Sequence, residues 1–161
     1  MAVPSPHIGA VDRPLSQPER ALVERVFGDA IALDEVRIRN RKWWPFQPRA
    51  IVMAPRGHIH FHPQGRSYCD CFGAGDLAAQ GLFIHEMTHV WQHQAGINLL
   101  VWRHPFCRYD YDYQPGKPFA RYGIEQQAEI VRHVFLMRSG RQVPGKPSLP
   151  ELEAILPFGR A

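Results

Sequence analysis

Across residues 77–94, LAAQGLFIHEMTHVWQHQ, apolar positions recur at helical spacing. Phe83, Ile84, Met87, Val90 and Trp91 fall within about 120° of arc when successive residues are turned by 100°. His85 and His89 are centred on the opposite side. Asp76 suits an N-cap and Gly96 stands just past the end, so the pattern predicts a helix that packs by one face and shows imidazoles on the other. The stretch 119–138 repeats the design. Ile124, Ala128, Val131, Val134 and Phe135 share one side, while Tyr122, Glu125, Glu129 and His133 line up on the other.

Shorter patterns complete the outline. SQPERALVERVFGDAI predicts a helix opened by a Ser16/Glu19 capping box and closing near Gly28. EVRIRN, 35–40, alternates, so Val36 and Ile38 should face a core and Arg37 and Arg39 face out. AIVM and HIHFH flank A-P-R-G, which predicts a hairpin over about residues 50–62 with Pro55 and Gly57 in the turn. Segments 63–75 and 97–117 read as irregular. A leader over 1–15 and a Pro-rich tail over 141–161, with a short helix near 149–155, flank a domain over 16–140. The expected class is α+β, with two long helices and a small antiparallel sheet.

Length and composition narrow the function. The chain has 161 residues, enough for one domain with its own core, and 15 prolines and 13 glycines imply many turns. Net charge is +4, carried by 16 arginines but only 3 lysines. Cys69, Cys71 and Cys107 form no CxxC pair and no even set, which argues against a disulfide framework and against a cysteine-held structural zinc. No signal-peptide pattern and no run of about 18 apolar residues is present, so neither Sec export nor a membrane partner is expected. Residence in the cytoplasm, or export by a machine that reads no cleavable signal, fits.

The chemistry lies in His85-Glu86-x-x-His89. Histidines at i and i+4 sit about 6 Å apart along the axis, turned by about 40°, so both can bind one zinc ion at about 2.0–2.1 Å. Glu86 beside them suits a general base on metal-activated water. With nine histidines and eight glutamates in the chain, a chance match is expected only roughly 0.02 times. A catalytic zinc takes a third protein ligand. His93 lies about 12 Å further along the helix and is turned away, and the glycine that metzincins need is replaced by Gln92. A carboxylate from the second helix remains. EQQAE offers Glu125 and Glu129, either as ligand, with the other placed to hydrogen-bond a ligand histidine. An oxyanion donor would come from Tyr122, His133, His104 or the YDYDY tyrosines Tyr109, Tyr111 and Tyr113, especially Tyr111.

HExxH followed by a separate helix carrying ExxxE resembles the gluzincin arrangement of zinc peptidases. That resemblance implies Zn2+ held by His85, His89 and Glu125, with Glu129 in support. Residues 30–96, with EVRIR, IVMAPRGHIHFHP and LFIHEMTHVWQHQ, are similar to the metallopeptidase-like domain found with bacterial contractile injection systems. With RKWWPFQPR, RHPFCRYDYDY and RYGIEQQAEIVRHVF included, the whole chain resembles the small vgr-related proteins named for the spike of type VI secretion. The resemblance implies a zincin-like fold, a peptide or protein substrate and a secretion-system spike component as partner. A non-catalytic zinc-containing assembly module of such an apparatus is the alternative.

Two further features have plainer readings. His58, His60 and His62 alternate along a strand and could chelate a second metal, but polar positions lining a cleft or facing water suffice. Arg37, Arg39, Arg41 and Lys42 beside WWPF resemble a nucleic-acid surface, yet outward arginines on a strand and an aromatic plug in a core or pocket account for them, so nucleic acid is not an expected partner.

Overall fold

In the computed structural model, residues 11–102 and 107–159 are described; His104 lies outside them. The elements run β1 (Asp12–Pro14), α1 (Gln17–Phe27), β2 (Arg37–Arg39), β3 (Ile59–His60), α2 (Leu77–Gln94), α3 (Leu99–Trp102), α4 (Ile124–Arg138) and α5 (Leu149–Ile155). The class is α+β, a small three-stranded sheet with five helices.

Local signals place the helix ends. The Ser16 hydroxyl accepts the Glu19 N–H and the Glu19 carboxylate accepts the Ser16 N–H at 2.8 Å, closing the capping box of α1. Gly28, at φ +61°, ends that helix in the left-handed region open to glycine. Asp76 caps α2 by accepting the Ala79 N–H at 2.8 Å. The tail helix spans the residues expected of it.

Four expectations are corrected. Residues 12–14, assigned to a leader, form β1, antiparallel to β2 with Arg13 opposite Ile38. The sheet is mixed rather than antiparallel, because β3 pairs parallel to β2 with Ile38 opposite Ile59. The expected hairpin contributes one antiparallel bridge, Met53 with His60, around a turn with Gly57 at φ +79°. Finally, the second long helix starts at Ile124. Phe119–Arg121 makes a separate 3-10 turn, and Tyr122 and Gly123 are extended before Gln126 closes back on the Gly123 N–H at 2.9 Å.

The core joins the sheet to α2. Val36, Ile38 and Ile59 are buried, and the rings of Phe61, Phe72 and Phe83 stack in series at 5.3 and 5.2 Å. Phe83, Ile84, Met87 and Val90 are buried as their spacing requires, and Trp91 packs edge-on to Phe158. The imidazole side of α2 is buried too, since α4 packs along the same helix.

Candidate metal centre

Position i and i+4 on α2 puts His85 and His89 on one face, their ring centroids 5.1 Å apart. Glu125 stands in the first turn of α4, and the helix packing brings it across. Its Oε2 lies 3.2 Å from His85 Nε2 and 3.0 Å from His89 Nε2. All three side chains are buried. Among the described residues they form the one group of three or more His, Cys, Asp or Glu placed to hold a metal ion, with ligand atoms within 4.8 Å of one another.

The outer nitrogens settle what the inner ones can offer. The Gln92 amide nitrogen donates to Ile124 O at 3.0 Å and to Gln127 Oε1 at 2.9 Å, so its oxygen is the atom facing His89 Nδ1 at 2.8 Å. His89 Nδ1 therefore donates to that oxygen, and Nε2 is the ring nitrogen turned to Glu125. His85 Nδ1 donates to Glu129 Oε1 at 2.7 Å. Two imidazole nitrogens thus converge on a carboxylate oxygen, an arrangement that repels itself unless a cation lies among them. His85 is the ring that meets both carboxylates. Burial opposes its charge, but the bonds to Glu125 and Glu129, aided by the charge of Glu86, push its pKa up to about 9. A divalent ion fits the same donors in place of the proton.

Glu129 ties the site to a wider network. It accepts from Arg132 Nη1 at 3.3 Å and lies 3.5 Å from His133 Nε2, while Tyr111 OH and His133 Nδ1 are 2.7 Å apart. Burial would raise the Glu129 pKa, but His85, Arg132 and His133 hold it below the usual carboxylate range. Burial pushes His133 down against the pull of Glu129 and pushes Tyr111 up. Glu86 is buried and lines a cleft of about 200 Å³ together with Ala50, Ile51, Val52, His85, Tyr109 and Arg132. The Tyr109 ring stacks over His85 at 6.0 Å.

The structure therefore gathers His85, Glu86, His89, Glu125 and Glu129 at one place, with His133 behind Glu129. Tyr122 sits apart. Its hydroxyl accepts the Gln114 N–H at 3.2 Å and its ring meets Tyr111 edge-on. Sequence reasoning missed Gln92 as the partner of His89, although its i+3 spacing was a usable signal. It also missed Arg132, for which spacing carried no signal, whereas Tyr109 was among the YDYDY tyrosines it offered as donors. His60 is buried rather than facing water, and the aromatic plug is corrected: Trp44 and Phe46 are exposed.

No family model matches the chain. In an alignment of 135 positions that covers 79% of its length, it is 46% identical to the type VI secretion system spike protein VgrG2b of Pseudomonas aeruginosa, of which it spans only 13%. The solved effector domain of Pseudomonas aeruginosa VgrG2b is similar with a TM-score of 0.73 at 44% identity, over 79% of this chain and 75% of that one.

Proposed function

Because the chain belongs to the family of the VgrG2b effector domain, we propose that it is a zinc-dependent peptidase domain of zincin-like fold, delivered by a type VI or related secretion system with a spike component as partner. The observation that carries the reading is the meeting of His85 Nε2, His89 Nε2 and Glu125 Oε2, with Glu86 lining the adjoining cleft. Two imidazoles and one carboxylate are the ligand set of catalytic zinc sites in which solvent or substrate takes the fourth place.

When bound, zinc supplies a Lewis acid that polarises the scissile carbonyl and acidifies water. Glu86 accepts the proton of the attacking water and returns it to the leaving nitrogen. Glu129 orients His85 through Nδ1, and Gln92 does the same for His89. Tyr109 and Arg132, which line the cleft, would supply the donors to a developing oxyanion. His133 acts through Glu129, and Tyr122 through its packing on Tyr111.

The test compares wild type with Glu86→Gln on a mixed peptide library, with zinc content measured in both. Cleavage by wild type should fall about 10²- to 10⁴-fold in the variant while one zinc per chain is kept. Zinc without cleavage in either protein would favour the assembly-module reading, and a wild type that binds no zinc would end both.

A further inference from the structure

Between Val36 and Cys69 the chain has no aspartate or glutamate, yet carries Arg37, Arg39, Arg41, Lys42, Arg49, Arg56 and Arg66. Asp12 bonds Arg37 at 2.7 Å and Arg39 at 3.0 Å. Arg41, Lys42 and Arg49 are exposed along one loop, 41–51, and form no ion pair among the described residues. The local field shows at His62, which slight desolvation and then the charges of Lys42 and Arg49 hold below its ordinary pKa.

This loop is anchored. Buried Gln47 accepts the Trp43 N–H at 2.8 Å and donates to Ile51 O at 2.8 Å and His60 O at 3.1 Å. The anchored turn holds Trp44 and Phe46 outward, 41% and 78% exposed, with their rings edge to face at 5.7 Å. Two large aromatics kept in water by a buried hydrogen-bonded anchor, and ringed by unpaired cations, match the composition of surfaces that rest on anionic bilayers.

We propose that loop 41–51 is a peripheral docking surface for an anionic lipid bilayer, with Trp44 and Phe46 entering the headgroup region and Arg41, Lys42 and Arg49 over the lipid phosphates. Nucleic acid fits less well. Arg37 and Arg39, which would continue a phosphate track, are held together by the Asp12 carboxylate and half compensated by it, and the two rings close on each other rather than opening as stacking platforms. No helix among the described residues is long and apolar enough to cross a membrane, and two exposed rings beside cations on one loop suit an interfacial contact. Ala50, Ile51 and Val52, at the end of the same loop and just beyond it, line the cleft beside Glu86. Docking would therefore bring the cleft to the bilayer surface.

The experiment is flotation of the full chain with vesicles of phosphatidylcholine alone or mixed with phosphatidylglycerol, at low and high salt. Wild type should float with the anionic vesicles at low salt and be released by high salt or by removal of the anionic lipid. Phe46→Ser and the Trp44→Ser/Phe46→Ser pair should weaken partitioning roughly tenfold or more, and Arg41→Gln, Lys42→Gln and Arg49→Gln roughly fivefold each. Val101→Ser/Trp102→Ser, on the exposed α3, should change nothing; circular dichroism confirms folding of every variant, and Phe46, the most exposed of the group, keeps the test open if the pair misfolds. Absence of wild type from anionic vesicles, equal loss in the α3 variant, or displacement by duplex DNA with no effect of Phe46→Ser would overturn the proposal. The readout needs neither metal nor turnover, so a chain that floats but binds no zinc sinks both zinc-dependent readings and leaves the docking surface standing.

Discussion

His89 Nδ1 and Gln92 Oε1 lie 2.8 Å apart, and the direction of that hydrogen bond is set from outside the pair by Ile124 O and Gln127 Oε1, which occupy the Gln92 amide nitrogen. Gln92→Leu removes the acceptor, letting the His89 proton move to Nε2, the atom that faces Glu125. Metal affinity should fall about 10- to 100-fold, read by competition with a chelator. Gln92→Glu keeps an acceptor for His89 and should retain more affinity than Gln92→Leu. The nitrogen chemical shifts of His89 report its tautomer directly, and an unchanged tautomer in Gln92→Leu would remove this role.

Glu125 and Glu129 face His85 from opposite sides, Oε2 of the first towards Nε2 and Oε1 of the second towards Nδ1. Glu125→Ala should therefore abolish stoichiometric metal, whereas Glu129→Ala should keep it with affinity lowered about 10- to 100-fold. Metal content of the purified variants distinguishes the two, and the opposite pattern would exchange the roles.

His60 is buried with Nδ1 lacking a hydrogen-bond partner among the described residues, and burial followed by the charge of Arg39 pushes its pKa down from 6.5 to about 4. Between those values the unfolded chain binds a proton that the native state refuses. Stability is thus fully present above pH 6.5 and is lost as pH falls towards about 4. The urea midpoint should drop across that window, with a shallower slope in His60→Leu.

Arg13 and Glu19 form a buried two-pronged ion pair, both contacts at 2.9 Å, and Glu19 also accepts the N–H groups of Ser16 and Phe72. Arg13→Met leaves that carboxylate buried without its counter-charge and should cost about 3–5 kcal/mol by denaturant titration. Arg13→Met/Glu19→Met together should cost less than the sum of the two single changes.

What the sequence by itself determined is what operates within a turn or two of chain. Helix periods, the Ser16/Glu19 box, the Asp76 cap, the pairing of His85 with His89 and the i, i+4 placement of Glu125 and Glu129 all depend on neighbours three or four residues away. Tyr122 shows the limit even there, since a glycine cap one residue on starts the helix beyond it. Only the tertiary structure decided that Glu125 rather than Glu129 meets both Nε2 atoms, across 36 and 40 residues of chain. It also decided that β3 runs parallel to β2, that Trp44 and Phe46 face outward, and that Arg13 seats on Glu19. The physical reason is the same in each case. Strands of two or three residues cannot specify their partner through their own alternation, and a polar helix face reads identically whether water or another helix covers it, so the outcome rests on which distant segment buries its apolar side alongside.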